Sequence, residues 1–195
     1  MEHFDKIREQ MRLHGMKLPQ ERVHIRVPDA KAVLHSTMSS FIAHEGKTMQ
    51  WLPEYDAVAA WLTANNGRGL FMYGNCGRGK SLLTRYALPA ILLSCCRRVV
   101  SVFDTQEMNR DIDHVLSKRL IAIDDVGTEE VSIKYGVRRL AFAEIMDACE
   151  KESRLAIVST NLSVNEIRQR YGERTFDRIR STTQQVLFEG KSLRG

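Results

Sequence analysis

The sequence predicts an α/β fold of three layers around a parallel sheet, and three observations carry that expectation. Short, continuously apolar runs at residues 70–73, 99–103, 120–124 and 155–159 read as strands covered on both faces. Segments of helical periodicity separate them, which is the alternation of a parallel sheet with crossover helices. A glycine-rich turn, Gly74-Asn75-Cys76-Gly77-Arg78-Gly79-Lys80-Ser81, joins the first strand to the helix after it.

Taken in order, residues 1–50 are polar and mixed, broken by Pro19 and Pro28, and read as an N-terminal arm with short helices. Leu52, Tyr55, Val58, Ala59 and Leu62 then recur at helical spacing until Asn65-Asn66-Gly67-Arg68-Gly69 stops the helix. From residue 70 the expected order is strand 70–73, helix 80–93, strand 99–103, helix 105–116, strand 120–124, helix 135–152 and strand 155–159. The helix at 135–152 places Val137, Leu140, Ala141, Ile145, Ala148 and Cys149 on one face. Helices at 164–170 and 175–180 and a last strand at 185–188 complete the chain. At 195 residues the chain fits one compact core, so the expected division is an arm at 1–50 and a single domain at 51–195.

Composition excludes several classes. With 43% hydrophobic and 27% charged residues the chain is neither disordered nor fibrous. Cys76, Cys95, Cys96 and Cys149 form no CxxC pair, and the six histidines have no metal-ligand spacing, so neither a zinc site nor a disulfide framework is expected. The start Met1-Glu2-His3-Phe4-Asp5 lacks an apolar stretch and the longest apolar run is interrupted by Pro89 and Ser94, which points to the cytoplasm. The net charge of +5 divides as +1 over residues 1–69 (nine basic, eight acidic), zero over 70–133 (eight and eight) and +4 over 134–195 (twelve and eight). An anionic partner is therefore expected at the C-terminal third, against the alternative of a solvated basic surface.

The glycine-rich turn carries the clearest chemistry. Binding a phosphate through backbone N–H groups needs a tight turn free of side chains, which Gly74, Gly77 and Gly79 provide. Lys80 supplies an ammonium for the β- and γ-phosphates of ATP, and Ser81 a hydroxyl for Mg²⁺. The start of the helix, with Leu82 next in line, adds its positive dipole end. A carboxylate for the metal is expected at the end of a buried strand, and Leu120-Ile121-Ala122-Ile123-Asp124-Asp125 provides it: Asp124 as the Mg²⁺ partner, Asp125 to polarise an attacking water. Asp125 as a solvated loop cap is the competing reading. Asn161, at the end of the next strand, either orients that water or touches the γ-phosphate, or else caps a helix, for which Ser163 is the better cap. Arg174, Arg178 and Arg180 form either a solvated helix face or a source of guanidinium charge for a neighbouring subunit's phosphates.

In this order these features resemble the DnaC/IstB-like branch of AAA+ ATPases, over about residues 50–195. The most specific elements are Tyr171-Gly172-Glu173-Arg174-Thr175-Phe176-Asp177-Arg178 and Phe188-Glu189-Gly190-Lys191-Ser192-Leu193-Arg194. The resemblance implies a P-loop core with strand order 5-1-4-3-2, ATP hydrolysis and assembly into a ring or spiral. It makes Asn161 sensor 1, Arg178 the arginine finger with Arg174 and Arg180 beside it, and Arg194 the sensor 2 arginine. It also implies a single-stranded DNA grip at Lys134 and Tyr135, a cation beside a stacking ring, against the reading in which Tyr135 packs inward. Asp125 stands where the family has Glu, Leu193 where it has an aromatic, and Arg78 where Thr is common. The shorter acid implies slow hydrolysis.

The functions in competition are an ATP-switched loader of a replicative DNA helicase, an IstB-like transposition helper on duplex DNA, a small-molecule kinase and a nucleotide-dependent binding module. The kinase reading lacks an acceptor motif and an arginine-rich lid in the sequence.

Overall fold

The computed structural model describes residues 2–18, 20–129, 132–134 and 137–193. Along the chain run the strands β1 (Gly69–Gly74), β2 (Ser101–Asp104), β3 (Leu120–Val126), β4 (Ser132–Lys134), β5 (Val137–Arg139), β6 (Leu155–Thr160) and β7 (Thr183–Phe188). Five of them form one parallel sheet in the order β2-β3-β6-β1-β7. Counting those five alone along the chain and reading from the β7 edge, the order is 5-1-4-3-2, as expected.

The helices are α1 (Glu2–Leu13), α2 (Ala30–His44), α3 (Pro53–Thr63), α4 (Lys80–Leu82), α5 (Leu88–Cys96), α6 (Thr105–Arg110), α7 (Ile112–Leu116), α8 (Ala141–Lys151) and α9 (Val164–Thr182). A π-helical turn, Leu83–Ala87, makes α4 and α5 one continuous rod. It precedes Pro89, whose ring has no N–H to give the preceding turn, and the wider turn accommodates that loss.

Strand alternation sorts the core into two layers. Leu70, Met72, Ala122 and Ile157 face one cluster with α2, α3 and the rod after the glycine loop. Phe71, Ile121, Ile123 and Val158 face the other with α6 to α9. Both faces are covered, which is why the strands are apolar without interruption. The N-terminal region contributes more than surface helices: Val23, Ile25 and Val27 of an extended segment, with Leu34 and Met38 of α2, are buried in the first cluster.

Beyond shifts of a few residues at element ends, four differences from expectation matter. The expected helix at 135–152 begins only at Ala141, because residues 132–134 and 137–139 pair as an antiparallel hairpin. Two such short runs separated by two residues, one of them Gly136, have hairpin spacing in the sequence, and the helical pattern over 137–140 misled. Leu140 is accordingly exposed, whereas Phe142 and Met146 take the buried positions. The helix expected at 105–116 breaks at Asp111, whose side chain caps α7 by accepting from the His114 N–H. The helices at 164–170 and 175–180 run on as α9, with a kink at Gly172 (φ 84°, ψ 161°). The last strand starts at Thr183 rather than 185.

Candidate functional site

The glycine loop leaves the C-terminal end of β1, the second strand from one edge, and its backbone turns through Gly74, Gly77 and Gly79 at φ 110°, 73° and 85°. A Cβ on Gly77 would lie 2.0 Å from Ser192 Oγ, and one on Gly79 would lie 2.5 Å from the Tyr55 hydroxyl. The cradle is therefore closed to side chains, as a backbone phosphate site requires. Lys80, 5% exposed, points under the loop and donates to the carbonyls of Gly74 at 2.8 Å and Asn75 at 2.7 Å.

Asp124 and Asp125 sit at an irregularity in the β3–β6 pairing, between Ile123 and Val126. Asp125 takes φ 60°, the left-handed region, so the two acids leave the strand in different directions. Asp124 stays buried and Asp125 lines the cavity. Ser159 of β6 connects them: its hydroxyl donates to Asp124 Oδ1 at 2.5 Å and accepts from the Asp125 N–H at 3.1 Å. Asn161 Nδ2 donates to Asp125 Oδ1 at 2.6 Å, and Arg85 lies 3.8 Å from Asp124 Oδ2.

Gly77, Gly79, Lys80, Ser81, Asp125, Ser159 and Asn161 line one cavity of about 470 Å³, a size typical of small-molecule sites, and Asp124 is buried behind Ser159. Cys76 and Leu82 also line it, while Asn75 turns its side chain to the Gly190 carbonyl at 3.0 Å. The donor set of glycine N–H groups, ammonium, hydroxyl and carboxylates fits a nucleoside triphosphate with a hard divalent cation, whose oxygen-seeking chemistry Ser81 and Asp124 match.

Arg78, which stands where Thr is common, does not line the cavity. Its guanidinium turns away, 7% exposed, donating to Glu54 at 2.5 Å and to the Lys191 carbonyl at 3.0 Å. The Glu54 hydrogen bond raises the Arg78 pKa further above its usual value. The next residue along α3, Tyr55, donates to the Arg78 carbonyl at 3.0 Å, and burial pushes its phenol up to about 12.

The arginines lie elsewhere. Arg174 pairs with Asp147 at 2.8 Å, and Arg178 pairs with Asp147 at 3.4 Å and Glu150 at 2.6 Å, both carboxylates belonging to α8. The exposed Arg180 gives its carbonyl to Arg68 at 2.6 Å. Their helix ends where β7 begins beside Gly69, while the loop begins at Gly74, five strand residues or about 17 Å further on. Arg194 and Tyr135 lie outside the described residues, and of Lys134 only the backbone in β4 is described.

Sequence reasoning missed Ser159, Glu54, Tyr55 and a rim of Glu45, Lys47, Thr48 and Gln50 on the cavity. Ser159 had a local signal, since it opens the Ser159-Thr160-Asn161 strand end, but its two partners are 34 and 35 residues away.

The sheet order, the loop after β1 and the paired acids at the end of β3 define the P-loop nucleoside-triphosphatase fold of AAA+ type. Within that class the fold is DnaC-like. The chain superposes on the DnaC helicase loader with a TM-score of 0.59 at 18% identity, over 72% of this chain and 93% of that one. AMPPCP-bound DnaA from Aquifex aeolicus gives 0.50 at 15% identity, over 72% of this chain and 48% of that one. DnaI gives 0.47 at 19% identity, over 83% and 86%. No protein-family model and no curated protein matches this sequence.

Proposed function

We propose that this chain is an ATP-hydrolysing AAA+ protein that loads a replicative DNA helicase and holds single-stranded DNA. The observation that carries the ATPase part is the hydrogen-bonded series that runs from the buried Asp124 through Ser159 to Asp125 and Asn161, the last three lining the same cavity as Lys80 and Ser81. The loader part is supported by the likeness to the DnaC helicase loader and by the Gly-Glu-Arg segment in α9.

In this reading the loop N–H groups and Lys80 hold the triphosphate, and Lys80 exchanges its bonds to Gly74 and Asn75 carbonyls for phosphate oxygens. Ser81 and Asp124 hold Mg²⁺, which when bound offsets charge on the phosphates. Ser159 fixes the Asp124 carboxylate toward that position. Asp125 accepts a proton from the attacking water, and the Asn161 amide restrains which way its carboxylate faces. Arg178 acts on a neighbour's nucleotide, since its place near the start of β7 is remote from the loop of its own chain. Oligomerisation, Lys134 and Tyr135 as the strand grip and Arg194 as a nucleotide contact belong to the same proposal.

The test measures ATP turnover by the purified chain alone, with single-stranded DNA and with duplex DNA, beside capture of a replicative helicase. Turnover stimulated by single strands together with helicase capture supports the loader. Stimulation by duplex alone, without capture, overturns it in favour of a transposition helper, and phosphate transfer to a small metabolite overturns both.

A further inference from the structure

The end of the sheet opposite the glycine loop carries positive charge that the nucleotide site does not use. Arg97 and Arg98 lead into β2, and Arg119 into β3. The extended segment at 22–27 crosses the same end, and its alternation sorts the side chains. Val23, Ile25 and Val27 are buried, whereas Arg22, His24 and Arg26 are exposed.

Contacts fix these pieces against one another. Arg119 Nη2 donates to the Glu21 carbonyl at 2.6 Å, and the Cys96 thiol lies 3.9 Å from the Arg26 carbonyl. A Cβ on Gly67, two residues ahead of β1, would meet Arg22 Cβ at 2.8 Å. Asn65 anchors the segment by donating to the Val23 carbonyl at 2.9 Å and accepting from the Ile25 N–H at 2.8 Å. The segment thus passes the heads of β1 and β3 and reaches the end of α5.

Several arginines elsewhere face carboxylates: Arg78 meets Glu54, Arg139 meets Glu144, Arg154 meets Glu152 and Arg178 meets Glu150, while Arg68 and Arg170 donate to backbone carbonyls. Arg22, Arg26, Arg97, Arg98 and Arg119 are all exposed, and among the described residues none of them has a carboxylate partner. The acids close by are engaged, Glu21 with Arg8 at 3.4 Å and Glu152 with Arg154 at 2.5 Å. Like charges held together by backbone packing repel, and an anion placed across them relieves that repulsion. The cations are guanidinium groups, which suit the bidentate recognition of phosphate. The segments that bear them, 21–27, 96–100 and 117–120, contain no Phe, Tyr or Trp, and the His24 imidazole is their one ring, so the stacking platform of a single-strand reader is missing. From β2 to β1 the sheet is three strand spacings wide, about 14 Å, which matches roughly four base steps of a duplex at 3.4 Å each.

We propose that this pole binds the phosphodiester backbone of nucleic acid, without reading bases and independently of the nucleotide site. The residues touch no part of the glycine loop, so the proposal stands whether or not the chain hydrolyses ATP.

Anisotropy of a labelled duplex and of a single strand of the same sequence, titrated with the full chain over a range of salt and without nucleotide, tests it. Wild type binds with a steep salt dependence, and Arg22→Gln/Arg26→Gln/Arg98→Gln weakens binding at least about tenfold near 0.1 M salt. The triple variant flattens the log–log slope by about 2.7 if duplex is the partner and about 2.1 if single strand is. The single variant Arg98→Gln flattens it by about 1 and serves if the triple variant does not fold. Unchanged affinity and slope in both Gln variants overturns the proposal, and so does competition by polyglutamate as effective as by DNA, which identifies an acidic protein surface instead.

Discussion

Ser159 is the residue on which the two acids depend. Ser159 is 1% exposed, and its hydroxyl serves Asp124 as donor and the Asp125 N–H as acceptor. Ser159→Ala leaves a buried carboxylate oxygen and a backbone N–H without those partners, a loss of about 1–3 kcal/mol. The expected outcome is a lower melting temperature and turnover reduced on the order of tenfold, with nucleotide still bound through Lys80; turnover equal to wild type removes Ser159 from the site. Tyr55 makes a pH prediction. Its phenol is raised from 10.0 to about 12 in the folded chain, so folding favours the neutral form. The resulting stability is fully present below pH 10 and is lost as pH rises from 10 to about 12. Thermal melts across that range are expected to fall more steeply for wild type than for Tyr55→Phe. The placement of Lys80 and Ser81 at the cavity after β1, and of the paired acids at the end of β3, was legible because local spacing sets it. The Arg78 orientation was not, since the partner that turns its side chain away, Glu54, is 24 residues distant.

At the scale of elements, the glycine loop is clasped by the segment after β7. Asn75 N–H donates to the Phe188 carbonyl at 2.7 Å, and Leu193 N–H donates to the Gly77 carbonyl at 2.8 Å. Gly77 therefore answers to two demands, a left-handed backbone at φ 73° and the closeness of Ser192. Gly77→Ala is expected to cost about 1–2 kcal/mol from the backbone alone, and to displace the 190–193 segment as well. Both melting temperature and nucleotide affinity fall. Adding Ser192→Gly removes the hydroxyl that the new Cβ meets and recovers part of the loss, which a purely conformational defect at Gly77 does not permit. The strands and their order could be read from sequence because burial on both faces writes a continuous apolar run. The hairpin β4–β5 left only its spacing as a signal, because three-residue strands are too short to establish a period, and the helical pattern of α8, which extends apparent matches back to Val137, outweighed it.

At the scale of the molecule, neither charge nor catalysis divides as the chain does. The C-terminal third has the largest net charge, yet Arg174 and Arg178 there pair with Asp147 and Glu150, and the five arginines of the basic pole, without a carboxylate partner among the described residues, come from the first two thirds. Segment sums do not see ion pairs or the crossing of residues 22–27 beneath the sheet. The same distribution bears on the arginine finger. Arg178, 25% exposed on its side chain, joins α9 to α8 and lies near the start of β7, away from the loop of its own chain. Arg178→Ala alone confounds two roles, because it removes ion pairs as well as a finger. A finger acting across a subunit boundary is worth roughly 10³–10⁵ in rate, so Arg178→Ala is expected to bind ATP normally and lower turnover at least about a hundredfold. Mixing separates the roles. Lys80→Ala retains Arg178 but lacks the phosphate lysine; Arg178→Ala retains the loop. In equal mixture about a quarter of random neighbour contacts combine an intact loop with an intact arginine, and turnover is expected to rise to about that fraction of wild type. A mixture no more active than its components assigns Arg178 to the α8–α9 packing, and the same experiment with Arg174→Ala then identifies the finger.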